Sequence, residues 1–240
     1  NKIDSSIFER FVFINENNLL PTLIEYAAFF GSINCFKFLF QKLQSLPMTL
    51  AHFAVAGGNY EIIHLCEQQE VVFDDDSLMV AIRFFQFDIM SYLEENFDIK
   101  KTINDASKAI VYYNLRALME CEELISEDPN KRNCAGYTLL TLACLNGDLD
   151  IINYLITTFK EKININETTL QGESPLCYAA EFGHYELVKY LSSLPGIKIN
   201  VADEEMMTPI QYAAKGGYLN ILKYMSTLQD ITIYDNNSMS

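Results

Sequence analysis

Positive charge is scarce in this sequence. Seventeen Lys and Arg stand against 32 Asp and Glu in 240 residues, a net charge of −15 and a pI near 4.5. DNA, RNA and anionic bilayers would be repelled, so roles that rest on phosphate contacts are disfavoured and a basic partner is the natural match. Long apolar runs are lacking too: none reaches the roughly 18–20 residues of a membrane span. No signal peptide is visible, and the chain starts Asn1-Lys2-Ile3 without Met, as expected of a segment of something longer. The six cysteines show no CxxC spacing, and the three histidines, His52, His64 and His184, have no spacing suited to metal binding or nucleophile activation. No Gly-rich phosphate loop exists beyond the pairs Gly57-Gly58 and Gly216-Gly217, both turn glycines of a repeat. No catalytic residue, cofactor or metal is therefore assigned, and the chain is expected not to be an enzyme.

What the sequence does contain is repetition. Around Ala27, Ala54, Ala81, Ala109, Ala143, Ala179 and Ala213 the same pattern recurs, at intervals of 27, 27, 28, 34, 36 and 34 residues. SPLCYAAEFGHYELVKYL (174–191) and TPIQYAAKGGYLNILKYM (208–225) are the clearest copies. TLLTLACLNGDLDIINYL (138–155) and TLIEYAAFFGSINCFKFL (22–39) follow the same template. A period of this length predicts an all-α solenoid in which each unit buries its apolar face against its neighbours.

One unit shows the logic. Ser174 suits an N-cap and Pro175 the first helical position, where its missing N–H costs nothing. Leu176, Ala179 and Ala180 give a short helix with a small-residue face, and Gly183 ends it in the left-handed conformation. An antiparallel helix from about Tyr185 to Ser193 follows, with Leu187, Val188 and Leu191 as its buried stripe. Ten or eleven residues then separate one unit from the next in the first half, as from Leu39 to Thr49, but 17 to 19 in the second, as from Leu155 to Ser174. The longer gaps hold alternating stretches, Ile163-Asn164-Ile165-Asn166 and Ile197-Lys198-Ile199-Asn200, which suit short β-hairpins. The expectation is stacked antiparallel helix pairs throughout, with β-hairpin fingers only in the C-terminal half.

Charge divides evenly, nine Lys/Arg and sixteen Asp/Glu before residue 121, eight and sixteen after, so a single domain over 1–240 is expected. Within it, 3–15 (with Phe8, Phe11 and Val12) reads as the second helix of a truncated repeat, 21–121 as four short repeats, and 134–240 as three full-length repeats plus the start of another. In this register Cys35, Cys66, Cys121, Cys144 and Cys177 face neighbouring helices and only Cys134 lies outside the core. Buried free thiols suit a reducing intracellular compartment, cytoplasm or nucleus.

These residues resemble the ankyrin-repeat family, with its D-x-x-G-x-T-P-L-H-x-A-A-x-x-G-H template. The likeness is closest over 136–234, looser over 22–66, where Thr49 to Ala54 keeps His52, and rests on spacing over 76–121. The short-period first half resembles hairpin-poor variants abundant in some protists. Phe85 and Tyr113 stand where the turn glycine belongs, so those two turns are expected to be remodelled. The resemblance implies protein–protein recognition by a monomer, along the inner edge of the first helices and the finger tips. Carried over by position, the inner-edge candidates are Phe29, Phe30, Arg83, Phe84, Tyr112, Leu145, Asn146, Glu181, Phe182 and Lys215. The finger candidates are Tyr137, Glu173, Glu204, Glu205 and Met207. The aromatics among them are either exposed anchors or, in the fingerless half, part of the core. Glu204-Glu205 is the acidic pair best placed to meet a basic partner, and solubility is the competing reading. The alternative function is a passive spacer or targeting arm of a larger enzyme or adaptor.

Overall fold

The computed structural model describes residues 20–228, so the expectations for 3–15 and 231–240 lie outside the described residues. The chain divides into two compact units between Lys101 and Thr102.

In the first unit, three helix pairs follow one another: α1 (Leu23–Phe29) with α2 (Ile33–Phe40), α3 (Leu50–Gly57) with α4 (Tyr60–Glu67), and α5 (Asp75–Arg83) with α6 (Phe87–Phe97). Their starts are set by side chains that satisfy otherwise orphaned amides. Asn59 Oδ1 accepts from the amides of Glu61 (3.0 Å) and Ile62 (3.2 Å). Asp74 Oδ1 accepts from the Ser77 amide at 3.0 Å. Glu25 is buried, caps its own helix at Thr22 (2.7 Å) and accepts the Thr49 hydroxyl of the next pair. Within the unit α1 packs on α3 and α3 on α5. Small residues permit this closeness: a Cβ on Gly57 would lie 2.3 Å from the Ala28 carbonyl oxygen. Phe36, Leu50, Phe53, Ile62, Ile63, Ile82 and Leu93 are fully buried, each contributing about 1.5–3 kcal/mol by transfer from water.

The second unit contains α7 (Ile103–Val111), α8 (Leu115–Met119), α9 (Glu122–Glu127), then the pairs α10 (Leu139–Asn146) with α11 (Leu149–Thr158), α12 (Pro175–Glu181) with α13 (Tyr185–Ser192), and α14 (Pro209–Lys215) with α15 (Leu219–Met225). Here α7 packs on α10, α10 on α12 and α12 on α14. Ser174 Oγ caps α12 through the Cys177 amide (3.2 Å) with Pro175 at the first position, and Leu187, Val188 and Leu191 are buried, as the repeat pattern requires. The short α9 has no counterpart in the sequence reading.

Three expectations need correction. Among the described residues there is no strand, so the fingers are not β-hairpins. The loop backbones bond to asparagine side chains of adjacent loops instead. Asn130 accepts from the Asn164 amide (2.7 Å) and donates to the Lys162 carbonyl (2.8 Å); Asn166 does the same with Lys198 (2.8 Å) and Gly196 (2.9 Å). What projects is a row of tight turns, Asn133–Tyr137, Thr169–Glu173 and Asp203–Met207, each closed by the first amide donating to the fifth carbonyl at 2.8, 3.0 and 3.0 Å.

The turns at Phe85 and Tyr113 are not remodelled. Phe85 (φ 59°) and Tyr113 (φ 55°) adopt the left-handed conformation of Gly31 (63°) and Gly183 (78°). Their hydrogen bonds match as well: the Gln86 amide donates to the Ala81 carbonyl (2.9 Å) and Asn114 to Ala109 (2.8 Å), as His184 does to Ala179 (3.0 Å). Packing of the flanking helices holds these turns without glycine. Finally, Cys35 is exposed, whereas Cys66, Cys121, Cys144 and Cys177 are buried. The register places Cys35 on a stacking face, and among the described residues no helix pair precedes α1 and α2 to cover it.

Candidate functional site

The inner edge of each unit begins where the first helix of a pair ends, and there the last carbonyls lack intrahelical partners. A side chain from the following pair supplies a donor at four of these ends, beside the Ile33 amide at Gly31 and the Tyr113 amide at Ile110. Asn59 Nδ2 reaches the Gly31 carbonyl (3.5 Å) and Gln86 Nε2 the Ala56 carbonyl (3.1 Å) in the first unit. In the second, Asn146 Nδ2 donates to Ile110 (2.9 Å) and His184 Nε2 to Leu145 (2.8 Å). That last bond requires a proton on Nε2. Asn146 and the Leu145 carbonyl, both on the inner edge, are thus engaged in joining one pair to the next, and both residues are half-buried.

In the first unit the edge is aromatic. Phe29 is half-buried, edge-on to Phe30 (5.2 Å between centroids) and to Phe84 (5.7 Å). Phe30 stacks on Tyr26 at 6.4 Å yet stays 56% exposed. The Arg83 guanidinium lies 5.9 Å from the Phe84 ring centre, a cation–π distance. Phe29, Phe30, Arg83 and Phe84 are therefore brought together. Phe85, which no candidate set included, is 51% exposed beside them in sequence.

The second unit carries a column of rings and a row of turn tips. Tyr137 and Tyr178 lie 5.7 Å apart, Tyr178 stacks on Phe182 (6.4 Å), and Phe182 on His184 (6.5 Å). Phe182 remains 46% exposed. Glu173 accepts the Tyr178 hydroxyl and the Thr169 hydroxyl (3.0 Å), so this candidate braces its own turn. Asp203 accepts the Tyr212 hydroxyl at 2.5 Å in the same way. Burial, reinforced by these carboxylates, raises both phenols above their ordinary range and keeps them as donors. Consecutive tips touch: the Glu204 amide donates to the Gln171 carbonyl at 3.1 Å. Glu204 and Glu205 are exposed, as are Leu170 (62%) and Met206 (61%), while Met207 is half-buried. Tyr112 and Glu181 are half-buried; Lys215 is exposed with its Nζ 5.5 Å from the Tyr212 ring.

Sequence reasoning missed Phe85, Tyr113 (58% exposed) and Met206. The signal was available: a bulky residue at a position that elsewhere takes glycine is exposed by the turn itself.

Nothing in these surfaces assembles a reaction centre. His52 bonds Asp74 (3.2 Å), and His64 lies with Glu67 (2.7 Å) and the Tyr92 hydroxyl (3.2 Å) on outer helices. Buried Cys66 has its thiol pushed up to about 12, by burial first and Glu67 second, far from thiolate reactivity. Among the described residues no group of three or more His, Cys, Asp or Glu is placed to hold a metal ion, and no helix is long and apolar enough to cross a membrane.

Residues 109–203 match the family model for ankyrin repeats, in three copies. Residues 109–203 carry ankyrin repeats. Residues 44–121 match a domain of unknown function, DUF3447. An ankyrin repeat protein of Acanthamoeba polyphaga mimivirus, L371, is 27% identical over 182 residues, which cover 75% of this chain and 20% of that protein. The chain thus spans about a fifth of the length of the relative it matches. The matched ankyrin repeats include α10 and α12 with the turns Asn133–Tyr137 and Thr169–Glu173, so the ring column from Tyr137 to His184 lies within them.

Proposed function

We propose that this chain is a non-enzymatic protein-interaction module that binds a protein or peptide, of basic character, along the inner edge and turn tips of its ankyrin repeats. The observation that carries this reading is the tip row of the second unit. Leu170 and Met206 expose apolar side chains beside Glu204 and Glu205, whose carboxylates enter no hydrogen bond or ion pair among the described residues. Apolar anchors rimmed by charge are how interfaces combine affinity with partner choice. The inner-edge rings, Phe30 in one unit and Phe182 in the other, are the accompanying anchors; Tyr112, Tyr137, Glu173, Glu181, Met207 and Lys215 frame them.

The test is affinity capture with the wild type and with Phe182→Ala/Glu204→Lys/Glu205→Lys. The variant is expected to lose the captured partner while its melting temperature changes little, because Glu204 and Glu205 are exposed and Phe182 is only about half covered. Recovery of the same proteins by both would reject this placement. A spacer or targeting arm predicts the same indifference, together with unchanged activity of the longer protein when the tips are altered.

A further inference from the structure

In the second unit asparagine side chains tie each loop to the next, Asn130 to Lys162 and Asn164, Asn166 to Gly196 and Lys198. The loops of the first unit, 41–49 and 68–74, contain no asparagine, and no hydrogen bond joins one to the other. A groove of ≈ 810 Å³ separates them instead, within the range of about 300–1,000 Å³ of ligand-holding clefts. Leu43, Leu46, Pro47 and Met48 line it from the first loop, Val71 and Val72 from the second. Met48 is 97% exposed and Val72 74%, so both loops present apolar surface to solvent. Their main chain is open as well. The amides of Ser45, Leu46, Met48 and Val72 donate to no protein acceptor, and the carbonyls of Leu46, Val71 and Val72 accept from no protein donor. Pro47 also biases Leu46 to extended backbone. Unpaired main-chain groups beside apolar side chains are what an added strand bonds to.

We propose that this groove receives an extended peptide segment of a partner protein, in which apolar residues alternate with basic ones. The segment exchanges main-chain hydrogen bonds with Leu46 and Val72. Alternate side chains of a strand fall on opposite faces, so its apolar set covers Met48 and Val72 while its basic set meets the acidic surround. Charge decides the second set. Residues 40–48 and 67–76 hold Lys42 as their one cation against Glu67, Glu70, Asp74, Asp75 and Asp76. Glu67 and Asp74 are engaged by Tyr92, His64, His52 and Ser77. Glu70, Asp75 and Asp76 are exposed, and their carboxylates enter no hydrogen bond or ion pair among the described residues. Complementary charge of this kind selects the partner and speeds its approach. The groove lies wholly in the first unit and does not rest on the reading of the turn tips.

The probe is a fluorescein-labelled octapeptide alternating valine and lysine, titrated with the full chain at physiological salt and followed by anisotropy. Met48→Ser/Val72→Ser removes two apolar contacts without changing charge, and both positions are exposed enough to leave the melting temperature in place. The double variant is expected to raise the Kd about tenfold. On the wild-type chain, an octapeptide alternating serine and lysine, of equal charge, and the parent peptide with methylated valine amides are each expected to bind about tenfold more weakly. An equal Kd for the serine peptide overturns the proposal, because charge alone then holds the segment. An equal Kd for the methylated peptide does so by removing main-chain pairing, and an equal Kd for the double variant by removing the groove. Binding lost in Glu204→Lys/Glu205→Lys yet kept in Met48→Ser/Val72→Ser places the peptide on the turn tips and rejects this site. Exclusion of the peptide as wild-type concentration rises means that a second copy occupies the groove, which also rejects it, as does the absence of any binding.

Discussion

Phe85 offers a sharp test of the turn geometry. Its φ of 59° places a bulky side chain in the left-handed region while the flanking hydrogen bonds remain those of a glycine turn. An L-residue with a Cβ bears about 1–2 kcal/mol there that glycine does not. Glycine in turn loses about 0.5–1 kcal/mol through its freer unfolded chain. Phe85→Gly should therefore be more stable than Phe85→Ala by about 0.5–1 kcal/mol, although both have lost the same ring and its edge contact with Phe87 at 6.3 Å. The comparison cancels the ring and isolates the backbone. Ser91, exposed in the middle of α6, provides the opposite control: Ala should exceed Gly there by about 1 kcal/mol. Urea unfolding followed by circular dichroism measures both pairs, and thermal midpoints should differ by about 2–8 °C. Alanine equal to or better than glycine at residue 85 would refute the reading, because the turn would then not demand a left-handed residue.

Other perturbations follow from single contacts. Asn146→Ala should cost about 0.5–1.5 kcal/mol in urea unfolding, because it removes one of the two hydrogen bonds to the Ile110 carbonyl and leaves only that of the Tyr113 amide; a neutral result would move Asn146 back among partner-binding residues. Gly57→Ala should destabilise by about 1–3 kcal/mol, since its Cβ would meet backbone oxygens of Ala28 and Phe29 at 2.3 and 2.8 Å; an unchanged midpoint would mean the first two helix pairs are further apart. Burial opposes ionisation of Asp74, but its hydrogen bonds from His52 and Ser77 prevail and hold its carboxyl below the ordinary range. A depressed folded value contributes stability above the unfolded value of about 3.9 and loses it as pH falls through the folded one. Asp74→Asn should accordingly flatten the loss of melting temperature below about pH 4, and parallel wild-type and variant curves there would discount this carboxylate.

Whatever depends on residues close in sequence was readable. The cap at Ser174-Pro175, the left-handed Gly183 and the stripe Leu187, Val188, Leu191 each follow from rules that operate within one turn of helix. The misreadings share a different origin, in groups supplied from elsewhere. Phe85 and Tyr113 break a local glycine rule because stacked helices fix the turn around them. Hairpin strands were expected from the alternation at 163–166 and 197–200, but Asn130 and Asn166 provide the partners that a second strand would have provided. Cys35 was assigned to the core because the register assumes a neighbour on both sides of every pair. At the candidate surfaces the inner-edge positions were identifiable, while their tasks were not: Asn146 and Glu173 sit where binding residues are expected and spend their polar atoms on the fold.

The donors that reach back from Asn59, Gln86, Asn146 and His184 bear on how such a chain changes length. Each acceptor is a main-chain oxygen, present whatever residue occupies the site, and each donor arrives with the succeeding block. Duplicating or deleting one whole block within a unit therefore leaves every remaining oxygen facing a donor of the same kind, whereas a cut inside a block removes one of these bonds. Growth and shrinkage in complete blocks is the route of least damage for this protein.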